Sequence, residues 1–592
     1  MIDLLHGLVK KPIAYLSEKL SARQFLILSS ILVGLTSGLA AVAVKYVVHA
    51  IGQLMKSYSI TYEQFFLFAL FPTLGILLTV FYIRYFLKGN LPKGSPDIVY
   101  SIAKKSSTIP REQTYAHMIT SALTVGFGGS MGLESPMVST GSAIGSNYGT
   151  TYKLGYKERT ILLACGASAG IAAAFNSPIA GVLFAIEVLL ADISAAAFIP
   201  LIISAASGAL LSKIILEEGI TLSFSLQQPF NYHNVPYYVL LGFVAGLISL
   251  YYAHTYTWTE HRIQRVKNRW VRAVTGGILL FVIILLFPPL YGEGYETIKH
   301  LADMKGKELF HNSILYPHVD TDNEYIFLLA LLIFLKPIAA AITIGSGGNG
   351  GNFAPALFVG AYVGFVFARI INLLGLAVIP ENNFTLVAMA GILSGIFYAP
   401  LTAIFLIAEI TGGYELMIPL MIVSALSMTV THLFEPLSMD SKKLASMLRG
   451  SIETRDKFLL SKLNLNDLIE TNFAIVKPDH SLEALIKVIA QSNRNIFPVV
   501  DDDKKLIGIV HLDKIRTVIF GSSSKENTTV RDLMTPPPVV IQADESLHLV
   551  LNKFEETKSW NLPVVDRGEY IGFLSKSSIL TKYRNELMES AS

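Results

Sequence analysis

Apolar residues run almost unbroken through positions 25–47, 65–86, 237–253, 273–288 and 326–344. Each run approaches or reaches the roughly 20 residues that an α-helix needs to cross a bilayer. Other apolar stretches upstream of about residue 450 are shorter or interrupted by Gly and Pro. The pattern predicts an all-α bundle of membrane-spanning helices, several of them broken. From 451 to 592 the chain turns charged, and short apolar runs alternate with helical periodicity, which predicts an α/β region in water. The opening 25 residues, MIDLLHGLVKKPIAYLSEKLSARQF, carry apolar positions at helical spacing with no cleavable leader pattern, and so read as an interfacial helix.

Composition agrees. With 52% hydrophobic and 15% charged side chains, the chain is too apolar for an ordinary soluble protein and reads as an integral membrane protein. The net charge of +3 and the lack of a basic stripe interleaved with aromatics argue against nucleic acid as a partner. Cys165, the only cysteine, excludes an internal disulfide and a multi-cysteine metal site. Lys10, Lys11, Lys19 and Arg23, and later Arg262, Arg265, Lys267, Arg269 and Arg272, mark cytoplasmic ends of the spans. Lys442, Lys443 and Arg449 place the soluble region in the cytoplasm by the same rule.

Two stretches repeat. GGSMGLESPMVSTGSAIG (128–145) aligns with GGNGGNFAPALFVGAYVG (347–364), pairing Pro136 with Pro355, Gly141 with Gly360 and Gly145 with Gly364, each pair 219 positions apart. AGIAAAFNSPIAGVLFAIE aligns with SGIFYAPLTAIFLIAE, where Pro178 to Glu187 and Pro400 to Glu409 share a spacing of nine. Two motifs recurring in one order predict an internally duplicated transporter whose broken helices meet at the repeat interface. Irregular backbone at membrane depth survives only where it is buried in protein or lines a polar cavity. Each glycine-rich turn leads into an apolar helix, so the unpaired N–H groups of the first turn and the positive end of the helix dipole point into that cavity, and the expected ligand is an anion. Pro136 and Pro355 fit early helical positions. The alternative use of such glycines is close helix packing.

Glu134 lies inside the first motif. A carboxylate at membrane depth costs roughly 2.5–3.5 kcal/mol on insertion scales and needs a partner or a function. Ionised, it fits the anion's place as a tethered ligand; protonated or outcompeted, it swings away. The alternative is a helix cap alone.

At these residues the chain resembles the CLC family of chloride channels and proton-coupled chloride antiporters. Its GREGP motif appears as GLESP (132–136) and its GIFAP motif as GNFAP (351–355), and FNSPIAGVLFAIE matches as well. FPVVDDDKKLIGIVHLDKI and LPVVDRGEYIGFLSKSSI resemble tandem CBS modules, with VRDLMTPPPVVIQADESLHLVLNKF entering the second. The resemblance implies a CLC-like, all-α polytopic membrane domain with an inverted internal repeat over 1–450. It also implies a linker at 451–460 and an α/β cytoplasmic pair, CBS domain 1 at 461–525 and CBS domain 2 at 526–592. It further implies a homodimer in the bacterial inner (cell) membrane with one chloride pathway per subunit, gated by Glu134 and sensitive to pH and voltage. The amides of Leu133, Glu134, Phe353 and Ala354 would hold an outer anion and those of Asn352 and Phe353 a central one, with Ser135 beside them.

The family's GSGIP is PKGSP (92–96) here, which sets Lys93 where an anion-coordinating serine is usual, with Gly94 and Ser95 beside it and Ser95 as the fallback. Lys93 either contacts the anion or snorkels to the cytoplasmic vestibule. The inner tyrosine is replaced by Asp440, or by Ser438 when counted from Pro436, and an Asp440–Lys93 pair is expected. At the proton-relay position of the family's exchangers stands Val188, preceded by Glu187 in what is more often a structural role. The sequence therefore leans to passive conduction; a proton-coupled antiporter, relayed by water or Asp192, is the alternative. A CBS-gated divalent-cation channel would need acidic spans. An enzyme using Glu134 or His117 would need a nucleophile, paired base or metal cluster beside them. No cofactor is required for transport. An adenine nucleotide at the CBS pair is the one cofactor the resemblance allows, near His511 and Lys514, with Asp513 one residue out of register, and near Ser575 and Ser578.

Overall fold

The computed structural model describes residues 19–61, 65–190, 195–216, 224, 226, 228–303, 321–449, 465–519 and 528–589. The interfacial helix up to residue 18, Asp192 and the 451–460 linker lie outside the described residues. The chain divides into two units, a helical one within residues 1–447 and a smaller one that holds residues 448–592.

In chain order the helices of the first unit are α1 Ala22–Thr61, α2 Phe65–Phe86, α3 Ser95–Lys104, α4 Gln113–Gly126, α5 Glu134–Thr151, α6 Tyr156–Phe175, α7 Pro178–Phe184, α8 Ala195–Ile215, α9 Val235–Gln264, α10 Arg269–Leu286, α11 Tyr295–Ala302, α12 Asp322–Gly345, α13 Phe353–Leu373, α14 Glu381–Phe397, α15 Pro400–Ile410, α16 Met417–Phe434 and α17 Met439–Arg449. Among the described residues nine helices are long and apolar enough to cross a membrane, while 178–189 and 400–410 form shorter apolar helices. The broken pattern read from Gly and Pro is therefore real. Pro178 and Pro400 each open a helix, where a missing N–H costs nothing.

The duplication organises the centre. The loops 127–133 and 346–352 enter α5 and α13, and Gly132 and Gly351, 219 positions apart, form an antiparallel bridge. Gly132 N–H donates to Gly351 O at 2.9 Å, and Gly351 N–H donates to Gly132 O at 2.8 Å. The relation continues backwards. Ser130 N–H donates to Thr343 Oγ1 at 3.3 Å, and its equivalent Asn349 N–H donates to Thr124 Oγ1 at 2.9 Å. Gly129 N–H returns to Thr124 O at 2.8 Å and Gly348 N–H to Thr343 O at 3.0 Å. Gly128 (φ 90°) and Gly347 (φ 116°) take the left-handed conformation that starts each loop, where a side chain would be strained. Each loop thus satisfies two of its buried N–H groups on the other half of the molecule and others on the helix end it leaves.

Not every glycine of the motifs serves the loops. A Cβ on Gly141 would stand 2.0 Å from Gly166 O, and one on Gly145 would stand 1.9 Å from Leu162 O. The second repeat does the same, with Gly360 against Met389 and Gly364 against Phe384 O. These four are packing glycines that let α5 lie on α6 and α13 on α14. Of the two uses weighed for them, close packing holds here.

The second unit contains α18 Leu482–Gln491, β1 Ile496–Val500, β2 Leu506–His511, α19 Leu512–Ile519, α20 Val530–Leu533, β3 Ile541–Gln542, α21 Leu547–Thr557, β4 Asn561–Asp566, β5 Glu569–Ser575 and α22 Lys576–Glu589. Strands β1 and β2 pair antiparallel with a bulge at Val499/Val500; β4 and β5 do so with a bulge at Val564/Val565, and β3 adds parallel to β4. The shared Pro-Val-Val pattern is therefore one hairpin built twice. Leu465 and Leu468 pack into the core of the later module, whereas Val530 packs into that of the earlier one. The split at 525/526 follows chain order, but each core borrows a segment from across it.

Candidate functional site

Leu133 and Asn352 precede α5 and α13 without any side-chain cap, so the first-turn amides of both helices are left for something other than a capping side chain. The Gly132–Gly351 bridge brings those two helix starts side by side. Glu134, 2% exposed, lies between them: a Cβ on Gly132 would sit 2.0 Å from Glu134 Oε2 and 2.7 Å from Ala354 Cβ. Glu134 Oε1 accepts the Tyr295 hydroxyl. Ser135 faces the bridge, since a Cβ on Gly351 would stand 2.7 Å from Ser135 Cβ, and one on Gly94 would stand 3.6 Å from Ser135 Oγ. Phe353 is held between the rings of Phe184 (5.6 Å) and Phe397 (4.6 Å). Leu133, Glu134, Ser135, Gly94, Phe353 and Ala354 therefore lie close together around the bridge.

Around Glu134 stand groups that the motif reading did not name. Leu133 N–H donates to Glu293 Oε1 at 3.2 Å. Lys45, half-buried on α1, donates to Ala174 O and lies within electrostatic reach of both Glu134 and Glu293. Lys336, wholly buried in α12, donates to Ser130 Oγ at 2.9 Å and to Gly292 O at 3.0 Å, and stands 4.8 Å from the centre of the Phe358 ring. Both lysines sit alone in apolar runs, and the insertion cost that flagged Glu134 flags them equally. Glu293 and Tyr295 carry no such signal in their YGEGY context.

At the other end, Lys93 Nζ donates to Gly348 O at 2.6 Å and Lys93 N–H to Asp97 Oδ2 at 2.8 Å. Its charge is thus spent on the carbonyl end of the second glycine loop. The expected pair with Asp440 is not formed: Asp440 faces the Ser95 hydroxyl and Lys443 instead. Ser438 is turned to the start of α17, exchanging hydrogen bonds with Ser441 at 3.0 and 3.2 Å. Asn352 receives the Tyr252 hydroxyl at 3.3 Å, with Tyr256 stacked on Tyr252 one helical turn away. Phenolic hydroxyls thus do reach this end, from α9 and not from the C-terminal segment. His117, 1% exposed, packs against Asn349 as a structural group under the second loop.

Val188 lies in a π-helical turn, Ala185–Leu189, packed on the core. The adjacent Glu187 caps α15: it accepts Leu401 N–H at 3.0 Å, Thr402 N–H at 2.7 Å and the Thr402 hydroxyl at 2.6 Å. Glu409 returns the favour to α7, accepting Ile179 N–H at 3.0 Å and Ala180 N–H at 2.9 Å. The two repeats thus cap one another's short helices.

In the second unit, Ser575 Oγ donates to Glu470 Oε1 at 2.6 Å, and Glu470 pairs with Arg494 at 2.7 Å. Ser578 Oγ donates to Ser575 O at 2.9 Å. Asp513 is exposed in the first turn of α19, within 3.9 Å of Arg516. His511 ends β2, and partial burial, followed by the Lys514 charge, holds its imidazole below its usual range.

Two duplicated halves that meet at uncapped helix N-termini, with one carboxylate between them, define a membrane-embedded anion-transport fold. The voltage gated chloride channel family model matches residues 75–432, and the chain belongs to that family. The CBS domain model matches 465–521 and 530–585. Chloride channel protein CLC-f of Arabidopsis thaliana is 27% identical over 548 residues, covering 79% of this chain and 68% of that protein. A putative chloride channel protein ClcB-like of Ralstonia nicotianae is 28% identical over 370 residues, 61% of this chain and 82% of its own. Among solved structures, a slow cyanobacterial Cl−/H+ antiporter matches with a TM-score of 0.63 at 21% identity over 73% of this chain and 100% of that one. A eukaryotic CLC transporter matches with a TM-score of 0.59 at 19% identity over 94% and 99%. Both share this fold.

Proposed function

We propose that the protein conducts chloride and similar small anions through one pathway per subunit of a homodimer, with Glu134 as the gate and its CBS pair in the cytoplasm. The observation that carries this reading is the placement of the Glu134 carboxylate between the two bridged helix starts, against Gly132 and Ala354. A helix N-terminus presents about half a positive charge and free N–H groups, so a chloride and a carboxylate compete for one place. External acid neutralises the carboxylate and favours the anion. Potential biases the exchange by up to roughly 2.3 kcal/mol per charge per 100 mV. Lys93, Gly94, Ser95, Asn352, Asp440 and Ser438 line the cytoplasmic half of the route in this reading.

Passive conduction is the mode we favour, because Val188 cannot carry a proton and Glu187 is committed to capping α15. The antiporter reading draws support from two solved relatives described as a Cl−/H+ antiporter and a CLC-type fluoride/proton antiporter. Reversal potentials in planar bilayers under crossed chloride and pH gradients separate the two. Passive conduction predicts reversal at the chloride equilibrium potential; chloride-driven proton uptake into sealed vesicles would refute it. Glu134→Gln should remove a titrating step from the dependence of flux on external pH, and an unchanged pH response removes Glu134 from the gate.

A further inference from the structure

Taking the basic turn 265–272 as cytoplasmic, α10 carries the chain to the outer face, and the segment 287–294 lies there. That segment is fastened over the first glycine loop: Gly292 N–H donates to Gly128 O at 2.9 Å, and Lys336 grips Gly292 O at 3.0 Å. Left-handed backbone at Gly292 (φ 63°) and Gly294 (φ 89°) folds it sharply on both sides of Glu293. The fold turns Glu293 towards the start of α5, where its Oε1 accepts Leu133 N–H. Two residues on, Tyr295 gives its hydroxyl to Glu134. One short segment therefore holds both the Glu134 carboxylate and an amide that the motif reading assigned to the outer anion.

We propose that Glu293 is a second tethered carboxylate of the outer anion site, so that an anion entering from outside displaces two acidic arms in series. This rests on the reading of Glu134 as the gate. Glu293 is half-buried whereas Glu134 is buried behind it, which makes Glu293 the first of the two that external water reaches. The groups facing it are Glu134 from α5, Lys45 from α1, Lys336 from α12 and, two residues on in the chain, Tyr295. Glu296 is turned away into a surface pair with Lys56 at 2.6 Å. With both carboxylates and both lysines ionised the cluster is neutral. An arriving anion leaves it one negative charge in excess, and a proton on Glu293 restores neutrality and weakens its hold on Leu133 N–H. Partial burial, together with the Glu134 charge, holds Glu293 above the ordinary carboxylate range, so that proton is taken up nearer neutrality than the usual roughly pH 4.3.

Chloride flux from vesicles holding the full-length protein, measured against external pH, tests this with Glu293→Gln, Glu293→Asp, Glu134→Gln and the Gln double variant. Glutamine keeps an acceptor for Leu133 N–H but cannot ionise. Glu293→Gln is expected to raise flux at external pH 7.5 roughly tenfold, the effect of removing one pKa unit of coupling, and to reduce a two-step pH profile to one step. Glu293→Asp, which still titrates, keeps both steps; the double variant is flat. If Glu293→Gln superimposes on the wild type while Glu134→Gln shifts, the Glu293 proposal is overturned and the Glu134 gate stands. If Glu134→Gln superimposes and Glu293→Gln shifts, the Glu134 gate falls and Glu293 is the outer carboxylate by itself. An aspartate variant that behaves like the glutamine variant marks the effect as structural and overturns the proposal.

Discussion

Replacing Glu187 by glutamine distinguishes a strut from a proton carrier, because the residue stands next to the relay position yet binds three groups of the opposite repeat. Its carboxylate accepts two N–H groups and one hydroxyl at the start of α15, at 2.6–3.0 Å. A hydrogen bond to a charged group contributes about 1.5–3 kcal/mol net, and a carboxylate at a partly exposed helix start adds roughly 0.3–1 kcal/mol. Glutamine preserves one accepting oxygen and turns an NH2 towards a donor that needs an acceptor. The loss expected for Glu187→Gln is therefore about 2–3 kcal/mol. Glu409→Gln, with two N–H partners at 2.9 and 3.0 Å and no hydroxyl, should lose slightly less, about 1.5–2.5 kcal/mol. The assay is thermal unfolding of both variants in one detergent–lipid mixture, where losses of this size lower the midpoint by several degrees, alongside chloride flux, which the mutations should leave qualitatively intact. A Glu187→Gln variant with an unmoved midpoint and abolished proton-coupled movement would refute the reasoning, since a strut loses stability and a relay loses protons.

Gly132→Ala places a methyl 2.0 Å from Glu134 Oε2 and 2.7 Å from Ala354 Cβ. The flexible carboxylate yields before the helix does, so the variant should show raised, less pH-sensitive chloride flux and a destabilisation of about 1–3 kcal/mol; flux with wild-type pH dependence would contradict the docked position of Glu134. In the CBS pair, Ser575 is committed to Glu470 and Ser578 to Ser575 O, so ATP, ADP or AMP added to the full-length protein should leave its unfolding midpoint unchanged. Saturating ligand at 100 times its Kd would stabilise by about 2.7 kcal/mol, and a shift of that order would overturn this expectation.

The sequence carried the membrane spans, the duplication and the identity of the central motifs, because each is a local pattern: an apolar run, a glycine cluster, a proline at fixed spacing. What it hid came through distance. Glu293 and Tyr295 reach Glu134 from a segment some 160 positions on, and Tyr252 reaches Asn352 from 100 positions before it. The sequence could not sort the glycines either. Gly132 and Gly351 shape a backbone bridge whereas Gly141, Gly145, Gly360 and Gly364 admit neighbouring helices, yet all read alike on paper. Lys93 shows another kind of failure, a residue whose partner was misjudged, because the Gly348 carbonyl it holds leaves no mark in the sequence.

The 219-position relation also separates the two things the site has to do. Backbone demands recur in both halves: Thr124 matches Thr343, Gly128 matches Gly347 and Gly132 matches Gly351, while Ser130 and Asn349 differ in side chain yet make equivalent N–H bonds. Pseudo-symmetry of this kind aims two helix starts at one point and supplies amides to an anion twice over. The gate obeys the opposite rule. Counting the same 219 positions from Glu134 gives Phe353, and from Leu133 gives Asn352, so α13 carries no equivalent of the Glu134 carboxylate and starts with an apolar ring in its place. A carboxylate carried by each helix start would fill both sets of first-turn amides at once, whereas one carried by α5 alone can be neutralised or displaced while the symmetric amides stay in place.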